Sequence, residues 1–215
     1  MVRVKICGIT NYDDASMAVG CGADALGFIF AASPRRISPE KARDIIRNLP
    51  PFVSSVGVFV NEDYKTIQRI TDFCCLDNIQ LHGDEPPELC GKFLPGCIKA
   101  FRVKDDSSIE SIKPYKGKCR AILLDTYSKD KEGGTGISFD WELALKAKKF
   151  DIPIILSGGL GPDNIETAIS LVEPYAVDVN SGIEKSPGKK DPELMKKLMD
   201  LVMNINTKGQ FCGCI

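Results

Sequence analysis

Val2-Arg3-Val4-Lys5-Ile6-Cys7-Gly8-Ile9-Thr10 opens the chain and sets how the rest of it is interpreted. Its first half alternates β-branched and polar residues, which is typical of a short strand. Cys7 stands where that strand ends, Gly8 permits a turn, and Thr10 or Asn11 can cap the helix that follows. The sequence therefore predicts a thiol at the carboxyl end of a strand, just before a helix.

The same strand-then-helix pattern recurs along the whole chain. Apolar strands are predicted over about 25–30, 53–60, 78–82, 97–101, 120–125, 152–157 and 175–179, with helical segments between them. Such alternation indicates parallel strands joined by right-handed crossovers. Eight units can close the sheet on itself, so we predict a single (β/α)8 barrel of class α/β.

An open, doubly wound sheet is the alternative for this pattern. That fold usually carries Gly-x-Gly-x-x-Gly after its first strand, and Lys5 to Thr10 lacks it. We assign residues 1–205 to the barrel, with a last helix over about 192–204. Residues 206–215 are predicted to form a loosely packed or disordered tail.

Composition argues against several classes of partner. The 215 residues carry 28 basic and 29 acidic side chains without a basic block, so neither nucleic acid nor a membrane surface is expected as a partner. Apolar runs fall short of the roughly 20 residues of a membrane span. The nine scattered cysteines, an odd number, favour reduced thiols. Together with the absence of a signal-peptide pattern, they predict a cytoplasmic protein.

Cysteines and the single histidine also bear on metal binding. His82 has no second histidine to join it, and no spaced Cys-x-x-Cys pairs occur, so no metal site is expected. The close pairs Cys74-Cys75 and Cys212-Gly213-Cys214 are better explained by packing and by a loose tail than by redox chemistry.

In a barrel of this type the functional groups lie at the carboxyl ends of the strands. Two glycine turns stand there, Ser157-Gly158-Gly159 after the seventh strand and Ser181-Gly182 after the eighth. Glycines expose backbone amides, and amides with a helix N-terminus bind phosphate without a basic side chain. We predict a phosphate site at Gly158, Gly159, Ser181 and Gly182, although glycines can also serve only as tight turns.

Four further side chains at strand ends are candidates. Asp125 follows an apolar strand, where desolvation favours a general acid, but it can equally anchor a loop. Arg35 or its neighbour Arg36 can hold a carboxylate, and the residues alone do not choose between them. His82 fits a positioning or structural role better than that of a base, and Cys7 is either a functional thiol at the ligand-binding end of the strand or a small buried residue.

A glycine-rich loop, Gly133-Gly134-Thr135-Gly136, lies between the sixth strand and the next helix. It is interpreted as a mobile lid or as a turn that contacts ligand. Its match to a nucleotide-binding loop is weak because no Lys-Ser/Thr follows it.

Together these motifs resemble the phosphoribosylanthranilate isomerase family of tryptophan biosynthesis. The resemblance covers nearly the whole chain and is carried by these segments: Lys5-Ile6-Cys7-Gly8-Ile9-Thr10, Gly22 to Phe28, Ser33-Pro34-Arg35, Val56-Gly57-Val58-Phe59, Gln80-Leu81-His82-Gly83, Leu124-Asp125, Gly133 to Gly136, Ser157 to Leu160 and Val177 to Glu184. Asn180 stands where the family commonly has serine.

The resemblance implies an Amadori rearrangement of N-(5-phosphoribosyl)anthranilate to 1-(2-carboxyphenylamino)-1-deoxyribulose 5-phosphate, without cofactor or metal. It assigns Asp125 as the general acid at the ring oxygen and Cys7, as thiolate, as the base at C2. It also implies that Arg35 binds the anthranilate carboxylate. We further expect His82 to contact substrate and the protein to be a monomer or a homodimer, between which the sequence does not choose. The alternatives are a related sugar-phosphate barrel enzyme and a non-catalytic protein that binds a phosphate ligand.

Overall fold

The computed structural model describes residues 1–125 and 141–211 of the chain. Both the Gly133 to Gly136 loop and the pair Cys212 and Cys214 lie outside the described residues. Eight parallel strands form a closed barrel in sequence order, with the first strand hydrogen-bonded to the last. This confirms the (β/α)8 prediction and excludes the open sheet.

The barrel strands agree with the predicted segments to within a few residues at each end. They are β1 Arg3–Ile6, β2 Ala25–Ile29, β3 Ser54–Phe59, β4 Asn78–Leu81, β5 Cys97–Arg102, β6 Ala121–Asp125, β7 Ile154–Ser157 and β8 Ala176–Val179. Closure is set by β1, whose Ile6 is in register with Leu26 of β2 and with Val179 of β8.

Helices follow the strands and cover the outside of the barrel. They are α1 Tyr12–Gly20, α2 Pro39–Ile46, α3 Tyr64–Cys74, α4 Pro87–Gly91, α5 Asp106–Glu110, α6 Trp141–Ala147, α7 Ile165–Val172 and α8 Pro192–Phe211. Asn11, one of the two predicted caps, accepts a hydrogen bond from the amide of Asp14, and Ser38 caps α2 by accepting from the amide of Lys41. Every helix in residues 1–125 and 141–211 is too short or too polar to cross a membrane.

The last helix is longer than predicted, because its end is anchored to the start of the chain. Asn206 accepts a hydrogen bond from the amide of Val2 at 2.7 Å and donates to its carbonyl at 2.9 Å. Helix α8 therefore continues to Phe211 instead of ending near Asn204. A contact between residues 204 positions apart leaves no local signal in the sequence.

Apolar residues are divided between two layers by the alternation of the strands. Outward residues such as Leu26, Phe28 and Leu124 pack under the helices. Inside the barrel, small and branched side chains fill the lower layers: Val56, Ile98, Ala100, Ala121, Leu123, Ile155 and Ala176. Above this apolar interior the inward-facing positions are polar. They line the barrel mouth, which is the open end of the barrel at the carboxyl ends of the strands.

A short hairpin of β9 Glu184–Ser186 and β10 Lys189–Lys190 follows β8 and was not predicted. It is held to the loop after β1, where the hydroxyl of Thr10 donates to the carbonyl of Gly188 at 2.6 Å. The amide of Lys190 also donates to Asp14 at the start of α1. The hairpin thus places charged side chains beside the barrel mouth on the β1 and β8 side.

Candidate active site

Cys7 lies buried at the carboxyl end of β1, as predicted. Its amide donates to the carbonyl of Val179 in β8 at 2.8 Å, which fixes the backbone next to the sulfur. The thiol occupies the space above Gly27 of β2, since a Cβ added there would lie 2.7 Å from the sulfur. A glycine at position 27 is therefore required to seat the thiol.

A buried ion pair lies directly beside the thiol. Lys5, two residues before Cys7 on the same inward face, donates to the Asp178 carboxylate at 2.8 Å. Burial raises the pKa of the Cys7 thiol above its ordinary value, and the charge of Lys5 counteracts part of that increase. Burial alone would lower the pKa of Lys5, but Asp178 and Cys7 outweigh it and the pKa is raised. Lys5 is therefore a permanent positive charge next to Cys7.

The hairpin supplies a second buried cation. The ammonium group of Lys190, with a side-chain exposure of 0%, donates to Glu184 at 3.1 Å and to the side-chain oxygen of Asn180 at 2.9 Å. Desolvation lowers the pKa of Lys190. Its charge also opposes the increase in the pKa of Cys7, less strongly than that of Lys5.

Arg35 reaches the mouth, whereas Arg36 is exposed. The Arg35 guanidinium donates from Nε and Nη2 to the carboxylate of Glu184, the shortest contact being 2.6 Å. This hydrogen bonding raises the pKa of Arg35. Burial alone would raise the pKa of Glu184, but Arg35 and Lys190 outweigh it and the pKa lies below its ordinary value. Within the part of the chain that the structure describes, Nη1 of Arg35 has no hydrogen-bond partner.

Gly8 is the residue that lets Arg35 approach. Its φ is +74°, and an added Cβ would lie 2.7 Å from the Asn180 side-chain oxygen and 2.9 Å from Cδ of Arg35. The turn after β1 thus brings Cys7, Arg35 and Asn180 to one side of the mouth.

Asp125 and His82 meet on the other side of the mouth. Asp125 ends β6, and its Oδ2 lies 3.2 Å from Nε2 of His82, within hydrogen-bond distance. His82 follows β4, and its Nδ1 lies 3.0 Å from the amide nitrogen of Gln80, a side chain that is 1% exposed. His82 also lines a cavity of about 370 Å³ together with Asp84, Lys99 and Arg102.

The loop that carries His82 is held by a second buried ion pair. Lys99 of β5 donates to Glu85 at 3.1 Å and to the carbonyl of Gly83 at 2.6 Å. Glu85 in turn accepts from the amides of Asn61 and Gly83. These contacts fix the backbone on either side of the histidine.

The two predicted glycine turns pack against each other. Gly158 and Gly159 have φ of +97° and +63°, which favours glycine at both positions. A Cβ on Gly182 would lie 2.0 Å from the carbonyl oxygen of Leu160, so the loops after β7 and β8 touch backbone to backbone. Asn164 fixes the first loop by bonding both the amide of Gly161 and the carbonyl of Gly159.

After β8, Ser181 and Gly182 lie in a short 3₁₀ turn, Ser181–Ile183. The structure thus brings the four predicted phosphate residues together at adjacent strand ends. Among the described residues, no group of three or more His, Cys, Asp or Glu side chains is placed to hold a metal ion.

Comparison with known proteins identifies the family of this chain. The family model described as N-(5'-phosphoribosyl)anthranilate (PRA) isomerase matches residues 4–201. The chain belongs to the PRA isomerase family. The PRA isomerase of Geobacter metallireducens is 52% identical over 200 residues, which cover 93% of this chain and 98% of that protein. That of Moorella thermoacetica is 50% identical, covering 94% and 90%.

Solved structures of the PRA isomerase family agree in fold. The crystal structure of phosphoribosyl anthranilate isomerase from Thermotoga maritima has a TM-score of 0.87 and 46% identity, covering 95% of this chain and all of that one. A structure of the enzyme in complex with reduced 1-(o-carboxyphenylamino)-1-deoxyribulose 5-phosphate has a TM-score of 0.86 and 45% identity, with the same coverage.

Sequence reasoning missed several residues of this PRA isomerase mouth. Lys5, Gln80, Asp178, Glu184 and Lys190 all make buried contacts there. A signal existed for two of them: Lys5 shares a face with Cys7 at the strand end, and Asp178 is the one charged residue of an otherwise apolar strand. Lys190 and Glu184 depend on the hairpin, which carries no comparable pattern.

Proposed function

We propose that this chain acts as a PRA isomerase with Cys7 as the base and Asp125 as the acid. The family match over residues 4–201 supports the reaction. The placement of Cys7 at the end of β1 and Asp125 at the end of β6 supports the roles, because β8 and β7 separate these strands around the rim. A sugar seated on the mouth lies between the two groups.

The reaction begins with ring opening. Asp125 donates a proton to the furanose oxygen as the bond between that oxygen and C1 breaks, and the nitrogen lone pair forms the iminium at C1. The Cys7 thiolate then removes the proton from C2, and those electrons neutralise the iminium to give an enolamine. The enolamine gains a proton at C1 and loses that of its C2 hydroxyl, which yields the ketone with no net gain or loss of atoms.

Lys5 and Lys190 support the base in this scheme. Only the thiolate removes a proton, and a buried thiol is mostly neutral near pH 7. Two ammonium groups beside the sulfur stabilise the charged form where solvent is excluded. The same charges attract an anionic substrate to this side of the mouth.

Binding is assigned to the remaining groups. The amides of Gly158, Gly159, Ser181 and Gly182 hold the phosphate, since two touching glycine turns present backbone donors at one point. Arg35 holds the anthranilate carboxylate through Nη1, with Glu184 fixing the guanidinium plane. His82 contacts Asp125 and the substrate.

The activity is tested directly by turnover of N-(5'-phosphoribosyl)anthranilate, whose fluorescence is lost on rearrangement. Purified protein is expected to consume it, and Cys7→Ala to lose that activity. Binding of substrate without turnover by the wild-type protein would instead identify a non-catalytic phosphate-ligand protein.

We further propose that the chain forms a homodimer through the amino-terminal end of the barrel. There a cavity of about 570 Å³ is lined by the apolar residues Val56, Ile98 and Ala121 and by charged residues that include Arg3, Asp24 and Arg120. Phe52 also lines it and is 97% exposed, and a ring beside a partly apolar cavity on the same face can insert into the cavity of a second copy about a two-fold axis. The phosphoribosylanthranilate isomerase of Thermotoga maritima is a dimer of which monomers have also been crystallised.

Light scattering tests the proposed dimer. Phe52→Asp is expected to convert it to a monomer, whereas a monomeric wild type would refute the assembly.

We place the enzyme in the cytoplasm. The seven cysteines of the described residues are all free thiols, which suits a reducing compartment.

A further inference from the structure

A buried amide lies behind the histidine that contacts the proposed acid. Gln80 lies on the inward face of β4, two residues before His82, and is 1% exposed. Its Nε2 lies 3.0 Å from His82 Nδ1, and His82 Nε2 lies 3.2 Å from Asp125 Oδ2. The three side chains therefore form a continuous row of contacts from Gln80 through His82 to Asp125.

The amide nitrogen of Gln80, and not its oxygen, faces Nδ1 of His82. An amide nitrogen only donates, so Nδ1 of His82 accepts and carries no proton. The ring proton then sits on Nε2 and is donated to Asp125. With this arrangement the imidazole is neutral.

The other end of the amide is unusual. Oε1 of Gln80 is buried and has no hydrogen-bond partner in the described residues. A buried carbonyl without a hydrogen-bond partner is destabilising, so a glutamine would not be favoured here for packing alone. If Nδ1 were protonated, its N–H would face the amide N–H of Gln80. Rotation of the amide would relieve that contact, but it would leave the amide nitrogen without a partner. The amide therefore disfavours the imidazolium.

We propose that Gln80 is a positioning residue that keeps His82 as the neutral Nε2–H tautomer, so that the imidazole ring adds no positive charge beside the Asp125 carboxyl. This inference rests on the proposed role of Asp125 as acid. An imidazolium in direct contact would hold Asp125 ionised, whereas a neutral ring lets it take up the proton that it must deliver. Asp84, Lys99 and Arg102 are the other charged groups on the cavity that His82 lines.

The protein offers a direct readout, because His82 is its single histidine. With ¹⁵N-labelled histidine, the ring nitrogens give two assigned resonances with no overlap. Wild-type protein at pH 7 is expected to show a pyridine-type Nδ1 and a protonated, pyrrole-type Nε2. An Nδ1–H tautomer, or two pyrrole-type nitrogens, would overturn the proposal whatever the activity.

Two variants with nearly the same side-chain volume as glutamine test whether the hydrogen-bond donor of Gln80, and not its size, fixes the tautomer of His82. Gln80→Glu places an acceptor at Nδ1, so the ring is expected to become an imidazolium at pH 7 and kcat to fall about tenfold or more, with KM little changed. Gln80→Met removes the donor only, and the ring is expected to lose its tautomer preference without becoming charged. Melting curves check that both variants fold.

Gln68→Glu, the same exchange on α3, serves as the matched control and is expected to change neither the ring resonances nor kcat. Unchanged resonances in Gln80→Glu would overturn the proposal, as would a changed tautomer with unchanged kcat. Failure of the proposed function shows separately, as an inactive wild type or a fully active Asp125→Asn variant.

Discussion

The two sides of the barrel mouth prepare proton transfer in different ways. On the side of β1 and β8, Cys7 is buried among charges, with Lys5, Asp178 and Lys190 all nearly inaccessible to solvent. On the side of β4 and β6, the contact to Asp125 comes from a histidine backed by an uncharged amide. In the proposed mechanism, the base that must become an anion lies next to cations, and the acid that must become neutral lies next to a ring that we propose to be neutral. Two groups in one barrel mouth, a few strands apart, thus have opposite electrostatic surroundings.

The strongest test removes the base. Cys7→Ala is expected to lower kcat by about 10³–10⁴-fold with KM within a few-fold, since proton abstraction acts in the transition state. Steady-state kinetics measures both values. Cys75→Ser, which alters an exposed thiol, is the control and should retain full activity. Normal turnover by Cys7→Ala would mean that the charged side of the mouth serves another purpose.

Removing the acid should have the next largest effect. Asp125→Asn keeps the shape of the side chain but cannot deliver a proton, so kcat is expected to fall about 10²–10³-fold. Asp106→Asn on exposed α5 is the control. If the variant keeps its activity, the proton reaches the ring oxygen from another group.

The charge beside the base can be removed without touching the sulfur. Lys5→Met should raise the pKa of Cys7 further, because the cation that stabilises the thiolate is gone. Thiolate is the form present above that pKa, so the rising limb of the pH–rate profile is expected to move to higher pH. Activity at pH 7 should fall about tenfold, equivalent to one unit of pKa, and recover partly in alkali.

Lys99→Met is the matched control for that experiment, because Lys99 belongs to an equally buried ion pair on the other side of the mouth. Each variant leaves one carboxylate buried without its partner and is expected to lose about 3–5 kcal/mol of unfolding free energy. Only Lys5→Met should move the pH–rate limb that belongs to Cys7. An equal movement in both variants would show that the limb reports stability.

The smallest effect is expected from the residue that fixes Arg35. Glu184→Gln keeps the shape but weakens the hold on the guanidinium, so substrate binding should lose about 1 kcal/mol, or about fivefold in KM. Here kcat should stay within twofold. A large fall in kcat instead would place Glu184 in proton transfer, and the contrast between the two sides would need revision.

Most residues of the barrel mouth were predictable, because in a (β/α)8 barrel the residue that ends a strand lies at the mouth. Once eight strands alternate with eight helices, residues such as Cys7, Asp125 and His82 are known to stand at carboxyl ends. Lys5 could have been found by the same argument, since period two puts it on the face of Cys7. The choice between Arg35 and Arg36 could not be made from the residues alone, because it depends on how the loop crosses Gly8.

The amino-acid sequence by itself determined the order of strands and helices, the closed barrel and the positions of the candidate acid, base and phosphate turns. These follow from local periodicity, caps and glycines, which neighbouring residues encode. Only the tertiary structure decided which charges surround each group: Asp178 beside Lys5, Glu184 across Arg35, and Gln80 behind His82 within reach of Asp125. Such pairs lie up to 173 residues apart, and only closure of the sheet brings them within hydrogen-bond distance.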